Sequence, residues 1–557
     1  MSLRMANASE FRAPSSLPPS LGRAILESAR AYPDRRALWA RGETLTYREL
    51  IERAGGMALL LGENSIGPDD RVAILSERTT TLYAAIIAAL INGSAYVPLN
   101  PRFPPQRNRQ ILESSGARAL ICSESQRTML DEIGGNLPDL DVIILPESGV
   151  RSSSGVRQML ATDLARADIG TRFNCEVAPG ELAYLLFTSG TTGVPKGVPI
   201  SNANVLAYLR GIQSVCNVGP EDGFLQIADL TFDMSVHDLF LAWTSGASLS
   251  SAPENATLLS SRFVTEHGLT CWFSVPSAAA LIGQAGLLDQ GCMPSLRYTF
   301  FCGEALTGAV AEAWAAAAPN SAIINLYGPT EATVAVGGFR YEPGQAEPPA
   351  VVSLGHPFPE QVMALFDSGG DPAKDGPGEI CLSGSQVASG YWQSPELTAE
   401  RFFEAQGRRW YRTGDLGRFV DGEGFSYVGR ADRQIKIRGY RMELQEVEAA
   451  VRKVTGCALA AVLPWPVTES GSALGCVAFV VGQDVADTTP EQCRELLPDY
   501  AVPSRILAIR EMPLNDNGKV DYRALADRTA SLLEDSSCES TDRVKRGVLE
   551  ARIWTAS

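Results

Sequence analysis

Short apolar runs alternate with amphipathic segments through most of residues 21–330. The runs at residues 72–75, 119–122 and 142–145 are typical of buried strands. Residues 47–61 instead carry apolar side chains at helical spacing, and they directly follow a plausible helix cap at Thr46. Short strands that alternate with helices of roughly ten to fifteen residues predict an α/β architecture with largely parallel sheets.

The pattern changes in the last quarter of the chain, where a charged amphipathic helix at 443–454 precedes further short apolar runs. We predict an α/β fold with a large N-terminal domain of stacked mixed sheets and helices over residues 1–431. A small mobile α+β subdomain is expected over residues 432–530. Residues 531–557 are expected to form a linker.

Composition and charge limit the classes of function. The chain has 557 residues, of which 45% are hydrophobic, and a formal net charge of −16, which argues against a nucleic-acid surface. Eleven scattered cysteines and three histidines do not match the usual zinc spacings or a disulfide framework. The apolar run at 82–91 is too short to span a bilayer. We therefore expect a cytoplasmic protein that binds neither nucleic acid nor membrane.

One loop carries the composition of a phosphate cradle. The apolar run at 182–187 opens into Thr-Ser-Gly-Thr-Thr-Gly-Val-Pro-Lys-Gly at 188–197. Glycines let backbone N–H groups surround an anion, hydroxyls add donors, and Lys196 supplies a positive charge. The spacing is not that of the common P-loop, because Pro195 stands where that motif requires glycine. The alternative is a Gly/Thr turn that binds nothing.

Polar clusters follow several other predicted strands. They lie at residues 230–240, 272–276, 298–305 and 323–331. Ligands of open α/β sheets bind beyond the carboxyl ends of the strands. We therefore expect one cleft to collect these clusters.

Several motifs, taken in order, resemble the adenylation domains of nonribosomal peptide synthetases, within the superfamily of acyl- and aryl-CoA ligases and luciferases. These motifs are the loop at 188–197, Phe-Asp-Met-Ser at 232–235, Asn-Leu-Tyr-Gly-Pro-Thr-Glu at 325–331, Tyr-Arg-Thr-Gly-Asp at 411–415, Gly-Arg at 429–430, Arg-Gly-Tyr-Arg-Met-Glu at 438–443 and Asn-Gly-Lys at 517–519. The resemblance covers residues from about 46 to about 525. It implies an ATP-dependent ligase that forms an acyl-adenylate and then passes the acyl group to a thiol.

The resemblance also implies roles for individual residues. The implied nucleotide-binding residues are Thr188, Ser189, Gly190, Thr191, Thr192, Lys196, Gly303, Glu304, Ala305, Asn325, Tyr327, Gly328, Thr330, Asp415, Tyr427, Arg430 and Lys519. The implied catalytic residues are Thr188, His237, Glu331 and Lys519, and Glu331 is the implied Mg²⁺ ligand. Without the resemblance, Asp415 could be an Asx-turn residue, Glu331 a helix cap and Lys519 a solvated turn residue.

In the resembling family, an aspartate at the position of Asp233 pairs with the α-ammonium of an amino acid. The alternative is an aspartate that caps a helix beginning at Met234. The implied substrate pocket consists of Asp233, Met234, His237, Ser274, Phe300, Cys302, Leu326, Val334 and Ala335. This mainly apolar lining, with no second acid and no obvious base, favours a neutral, small to medium amino acid such as valine or proline. His237 has the alternative interpretation of a wall residue with satisfied hydrogen bonds.

Movement and a thiol partner are also implied. Asp432 lies at the position of the family's hinge, about which the small subdomain would rotate. The expected thiol is the phosphopantetheine arm of a peptidyl carrier domain. Residues 541–554 resemble the first helix of such a carrier, and they are interpreted either as its start or as a plain C-terminal tail. Two other interpretations remain, an acyl- or aryl-CoA ligase, against which Asp233 argues, and a silent scaffold module, against which the intact motifs argue.

Overall fold

The computed structural model describes residues 17–535. The ranges left out between these ends are 135–136, 138, 153, 165–176, 179, 191–194, 254–256, 368, 374–375, 438, 458, 468–472, 482–488 and 515–519. Within the described ranges, no helix combines the length and the apolar character needed to cross a membrane.

Helices and strands alternate over most of the described chain. The helices are α1 (Leu21–Ala31), α2 (Tyr47–Glu63), α3 (Thr80–Asn92), α4 (Pro105–Ser115), α5 (Arg127–Ile133), α6 (Ala161–Leu164), α7 (Asn202–Gln213), α8 (Met234–Thr244), α9 (Ser260–His267), α10 (Pro276–Gln284), α11 (Gly308–Ala317), α12 (Pro395–Arg401), α13 (Leu444–Thr455), α14 (Thr489–Cys493) and α15 (Tyr522–Asp535). The strands are β1 (Arg36–Ala40), β2 (Glu43–Thr46), β3 (Arg71–Leu75), β4 (Ala95–Leu99), β5 (Ala119–Cys122), β6 (Val142–Leu145), β7 (Arg157–Leu160), β8 (Leu182–Thr188), β9 (Lys196–Ser201), β10 (Gly223–Gln226), β11 (Ser248–Ser251), β12 (Cys271–Ser274), β13 (Tyr298–Phe301), β14 (Ala322–Tyr327), β15 (Gly337–Tyr341), β16 (His356–Pro357), β17 (Gln361–Phe366), β18 (Gly378–Gly384), β19 (Phe402–Ala405), β20 (Arg408–Val420), β21 (Gly424–Arg430), β22 (Gln434–Ile437), β23 (Tyr440–Glu443), β24 (Ala460–Pro464), β25 (Cys476–Val481) and β26 (Ile506–Ile509).

Local sequence signals account for several of these boundaries. The Thr46 hydroxyl accepts from the Glu49 backbone N–H, and the Glu49 side chain accepts from the Thr46 backbone, which together form a capping box at the start of α2. Helix α3 is apolar on all sides and ends at Gly93, whose φ of 90° suits glycine. One of the short apolar runs that follow the charged helix forms β24, from Ala460 to Pro464.

Two large sheets form the N-terminal part. One has nine strands in the order β16-β15-β14-β13-β12-β10-β11-β1-β2, and the other has seven in the order β7-β6-β5-β3-β4-β8-β9. Their central strands pair in parallel, and antiparallel pairs occur only towards the edges. The predicted parallel α/β arrangement is therefore present, with mixed edges.

Helices fill the space between the two sheets and also cover their outer faces. Alternate residues of one strand belong to different cores, because successive side chains point to opposite faces. Phe224 and Ile74 face the central core, which contains α1, α2, α3, α7 and α8. Leu225 contributes to an outer core with α9, α10 and α11, and Leu75 contributes to the other outer core with α4 and α5.

Three smaller sheets follow. Strands β17 to β21 form an antiparallel sheet, β22 and β23 form a hairpin, and β24, β25 and β26 form a three-stranded sheet. Helix α13 and this last sheet have their own apolar core, which includes Val447 and Val462. The boundary at residue 431 stays a prediction.

Candidate active site

A cavity lies where four segments leave the carboxyl ends of β8, β10, β13 and β14. Its described lining residues are Phe103, Arg107, Phe187, Thr188, Ser189, Thr231, Phe232, Asp233, Met234, Cys302, Gly303, Gly328, Pro329, Thr330, Val334, Thr413, Asp415, Arg430, Gln434, Lys436, Gly439, Arg441 and Tyr500. The structure thus brings residues of the predicted clusters at 230–240, 298–305 and 323–331 into one cleft, whereas no residue of the cluster at 272–276 is among the described lining residues. The hairpin β22–β23 forms one wall of the cavity. The sequence alone did not predict that this hairpin lines the cavity.

The phosphate-cradle loop begins at the cavity wall. The Thr188 hydroxyl oxygen is buried and has no hydrogen-bond partner among the described residues. The Ser189 hydroxyl donates to the Arg441 carbonyl at 2.9 Å, so Ser189 is tied to the hairpin in this arrangement. Residues Thr191 and Thr192 lie outside the described residues.

Glu331 lies at the centre of a buried charged cluster. Its side chain is fully buried and pairs with Arg441 Nη1 at 2.6 Å and with Lys196 Nζ at 3.7 Å. The Tyr391 hydroxyl donates at 2.6 Å to Oε1 of Glu331, the oxygen that also faces Lys196, whereas Arg441 pairs with Oε2. Burial alone would raise the pKa of Glu331, but Arg441 and Lys196 hold it well below its ordinary value. Burial also lowers the pKa of Lys196 to about 8.

In this arrangement the residues do not fit a bound Mg²⁺. Both oxygens of Glu331 already have partners, and a guanidinium at 2.6 Å occupies the space of a cation. Within the described ranges, no group of three or more His, Cys, Asp or Glu side chains could hold a metal ion. Mg²⁺ often binds through one carboxylate and the phosphates of its substrate. The role of Glu331 as its ligand therefore stays a prediction for an arrangement in which Arg441 has withdrawn.

Asn325, on β14, offers one free acceptor. Its amide nitrogen donates to the carbonyls of Ser353 at 2.8 Å and Val352 at 3.4 Å. Its buried Oδ1 atom has no hydrogen-bond partner in the described chain. These bonds fix which way the amide points, and an amino group is the kind of donor that Oδ1 lacks.

Asp415 belongs to a three-residue network. The Tyr327 hydroxyl donates to its Oδ2 at 2.7 Å, and Arg430 pairs with its Oδ1. Burial and the neighbouring Asp415 raise the pKa of Tyr327 well above its ordinary value, so the phenol stays protonated. Because the Asp415 carboxylate is bound by these two side chains, it is more than an Asx-turn residue.

The other described members of the predicted nucleotide-binding set have different surroundings. Gly303, Gly328 and Thr330 line the cavity. Glu304, next to Ala305, accepts from the backbone N–H of Gly439 at 2.6 Å and from that of Ser277 at 2.9 Å. Gly190 is buried beside Ser189, and Tyr427 is half-buried on β21. These nucleotide-binding roles stay predictions.

Asp233 precedes α8 but does not cap it. Its backbone is already helical, and its side chain makes no capping hydrogen bond. The residue is 9% exposed, and its Oδ2 atom has no hydrogen-bond partner within the described residues. Burial raises the pKa of Asp233 to about 6, which the Thr330 hydroxyl only partly offsets. The structure thus presents a buried carboxylate at the cavity wall, with Lys436 as a neighbouring charge but no ion pair among the described residues.

The predicted substrate pocket divides into two groups. Asp233, Met234, Cys302 and Val334 line the cavity. The remaining members lie behind that lining, and they are His237, Ser274, Phe300, Leu326 and Ala335.

His237 is fully buried in an aromatic environment. Its Nδ1 atom and the Tyr208 hydroxyl are 2.6 Å apart, and its ring packs against Phe273 and Phe300. Burial lowers the pKa of His237 to about 3, so the imidazole is neutral. This placement favours the alternative of a wall residue, and the catalytic role of His237 stays a prediction.

The hairpin β22–β23 docks against the cavity through side chains that are remote in sequence. Tyr440 packs edge-on against Phe232, with ring centroids 4.5 Å apart. Directly after the hairpin, Glu446 in the first turn of α13 forms an ion pair with Arg107 at 2.6 Å, with 5% and 6% of the two side chains exposed. Sequence reasoning missed this pair and the pairing of Arg441 with Glu331, since nothing local links residues separated by more than a hundred positions.

The predicted hinge lies at the start of this hairpin. Asp432 accepts from Arg430 Nε at 2.7 Å and from the Gln434 backbone N–H at 3.2 Å. The predicted catalytic Lys519 lies outside the described residues, as does the carrier-like segment at 541–554. The hinge role of Asp432 stays a prediction.

Sequence profiles and relatives agree with this architecture. A profile of AMP-binding enzymes matches residues 25–392, and one of the AMP-binding enzyme C-terminal domain matches residues 446–519. Tyrocidine synthase 2 from Brevibacillus parabrevis is 32% identical over 90% of this chain. The chain spans only 13% of the length of that relative.

Solved structures of adenylation domains also match this chain over most of its length. The adenylation domain AlmE of Vibrio cholerae, in complex with glycyl-adenosine-5'-phosphate, is 34% identical, with a TM-score of 0.82 over 93% of this chain and 99% of its own. PA1221, an NRPS protein with adenylation and PCP domains, has the same fold, with a TM-score of 0.76 and 23% identity over 94% of this chain and 85% of its own. These likenesses confirm the predicted resemblance and the predicted fold class.

Proposed function

This chain belongs to the AMP-binding enzyme family, and we propose that it uses ATP to activate an α-amino acid as an aminoacyl-adenylate. In a second step the aminoacyl group passes to the phosphopantetheine thiol of a peptidyl carrier domain. The observation that carries the amino-acid assignment is the buried Asp233 carboxylate, whose Oδ2 atom has no partner among the described residues. An isolated buried charge is costly, and the α-ammonium of an amino acid supplies the missing cation.

In the first step, a carboxylate oxygen of the amino acid attacks the α-phosphorus of ATP, and the bond to pyrophosphate breaks. Asp233 holds the ammonium, and the substrate carboxylate is directed into the cavity that Thr188 also lines. The Thr188 hydroxyl, which has no partner among the described residues, and Lys196 bind phosphate oxygens. Asn325 Oδ1 accepts from the adenine amino group, while Asp415 accepts from the ribose hydroxyls. Positioning of this kind supplies much of the catalysis of phosphoryl transfer.

In the second step, the thiolate sulfur attacks the carbonyl carbon of the adenylate, and AMP leaves with the bonding electron pair. The docked hairpin supports a separate arrangement for this step. The hairpin residues Lys436, Gly439 and Arg441 line the cavity, and Arg441 forms an ion pair with Glu331. Rotation about Asp432 would exchange this hairpin for Lys519.

The finer features of substrate, partner and location are part of the same proposal. Among the nine predicted pocket residues, Asp233 is the one carboxylate and His237 is neutral, which supports a neutral, small to medium amino acid as substrate. The similarity to a tyrocidine synthase, and to the fold of an NRPS protein with adenylation and PCP domains, supports a carrier domain as partner. Cytoplasmic location is proposed on the scattered single cysteines.

Substrate-dependent exchange of pyrophosphate into ATP tests this function. We expect exchange with an amino acid and none with fatty or aromatic acids that lack an ammonium group. Exchange with those acids instead would favour the acyl- or aryl-CoA ligase. No exchange with any acid would favour the silent scaffold.

Lys519→Ala tests the catalytic assignment within this function. A cation placed where charge develops contributes roughly a hundred- to a thousandfold in rate. We expect the variant to lose adenylate formation while it still transfers the aminoacyl group from preformed adenylate. Lys453→Ala, at an exposed lysine of α13, is the control and should retain both steps. Equal survival of both steps in Lys519→Ala would refute the assignment.

A further inference from the structure

We propose that the amino-acid subsite is closed directly behind Asp233, so that glycine is the preferred substrate. This inference rests on the proposed function and narrows the expected small to medium substrates to the smallest. It concerns the space beyond the carboxylate that would receive a substrate side chain. In the structure, protein side chains fill that space.

The far wall is a packed aromatic cluster. His237 and Phe300 are 0% exposed and Phe273 is 1% exposed. The His237 ring lies 4.4 Å from the Phe273 ring and 4.7 Å from the Phe300 ring, measured between centroids. A void that could hold even one water molecule would leave part of its wall accessible. The cluster therefore leaves no such void.

The sides of the subsite are equally closed. Leu326 is 2% exposed and Ala335 is 0% exposed, and neither lines the cavity. Met234, Cys302 and Val334 separate these residues from the cavity. Met234 also lies close to the backbone at Gly303, where its sulfur is 3.8 Å from the position that a Cβ atom would take. A substrate side chain that extends from the cavity towards Leu326 or Ala335 would therefore have to displace packed groups.

The wall offers little to a polar substrate side chain. His237 Nδ1 is engaged by the Tyr208 hydroxyl, and burial keeps the ring neutral. The Nε2 atom of His237 has no hydrogen-bond partner among the described residues. His237 does not line the cavity, however, so a substrate in the cavity does not meet this atom. Reaching it would require the aromatic cluster to open.

The preference that follows can be estimated from known discrimination in apolar pockets. One methylene group changes specificity by about 10- to 200-fold. We expect kcat/KM for glycine to exceed that for alanine by at least about tenfold and that for valine or proline by at least about a hundredfold. The assay is pyrophosphate exchange of the full chain with glycine, alanine, serine, valine, proline and phenylalanine.

The outcomes separate the two levels of the proposal. Preferred exchange with valine, proline or phenylalanine would overturn the closed subsite and leave amino-acid activation intact. Preferred exchange with serine would overturn it too, since His237 would then be reached by substrate. No exchange with any amino acid would overturn both the subsite and the proposed function.

Phe300→Ala opens the far wall and provides an independent test. We expect the ratio of kcat/KM for valine to that for glycine to rise at least about tenfold. Phe301→Ala is a matched control, because Phe301 is also 0% exposed but belongs to the outer core on the other face of β13. It should lower stability and leave the ratio unchanged.

Met234→Ala covers the case in which Phe300→Ala does not fold. Met234 lines the cavity and is only partly buried, so its truncation removes less of the core. We expect the preference to shift towards alanine. The proposal would be overturned by an unchanged ratio of kcat/KM for alanine to that for glycine in Met234→Ala. An unchanged ratio of kcat/KM for valine to that for glycine in a folded Phe300→Ala would also overturn it.

Discussion

Replacing Asp233 with asparagine should raise the stability of the free protein while it abolishes the use of amino acids. Burial raises the pKa of this carboxyl from 3.8 to about 6. An acid whose pKa is higher in the folded state loses folding free energy as the pH rises through the interval between the two values. At neutral pH and above, this loss is roughly 3 kcal/mol, because each pH unit of the interval corresponds to about 1.4 kcal/mol.

Asparagine keeps the shape of the side chain and removes the charge. The difference in unfolding free energy between Asp233→Asn and the wild type should therefore be larger at about pH 8 than at about pH 4, by roughly 2 kcal/mol. Loss of one partner of a buried ion pair costs about 3–5 kcal/mol. The kcat/KM for the amino acid should accordingly fall by about a hundredfold or more.

Two measurements test this prediction. Urea unfolding at the two pH values gives the stability difference, and pyrophosphate exchange gives the loss of activity. Asp421→Asn, at an exposed turn aspartate, is the control and should show neither effect. A stability difference that does not change with pH would refute the claim that the Asp233 carboxylate is penalised by burial. Full exchange activity in Asp233→Asn would refute its pairing with the substrate ammonium.

Three further substitutions probe the docked hairpin, each by separate assays of adenylate formation and of thioester formation from preformed adenylate. Gly439→Ala places a Cβ atom 2.3 Å from Val275 at a φ of +83°. We therefore expect thioester formation to fail and adenylate formation to persist, and normal thioester formation would contradict the docking of the hairpin. Arg441→Met leaves Glu331 without its guanidinium partner and should weaken the docked arrangement by about 3 kcal/mol or more. We expect slower thioester formation, whereas an unchanged rate would show that the ion pair contributes little. Asp432→Pro fixes φ at the predicted hinge, so pyrophosphate exchange should stay measurable while thioester formation is lost. Normal thioester formation by this variant would count against the hinge.

Much of the fold follows from local sequence. The apolar run at 182–187 lies within β8, and the capping box at Thr46 begins α2 where the pattern places it. These features depend on periodicity and short-range hydrogen bonds, which the order of residues specifies directly. The gathering of polar clusters at one cleft also follows, because parallel strands present their carboxyl ends at the same edge.

The resemblance identified Asp233, Asn325 and Glu331, but only tertiary structure decided their surroundings. The Oδ2 atom of Asp233 has no hydrogen-bond partner among the described residues, and its neighbours Thr330 and Val334 come from a segment distant in sequence, which no local pattern encodes. Glu331 meets Arg441 across 110 positions because the hairpin docks on the cavity. Whether the subsite has room for a side chain likewise depends on how Phe273, Phe300 and His237 pack, since packed volume is a property of the assembled core. The residue order therefore determined the elements and the chemistry that they carry, and the three-dimensional packing decided which polar atoms stay unpaired and how much space the substrate receives.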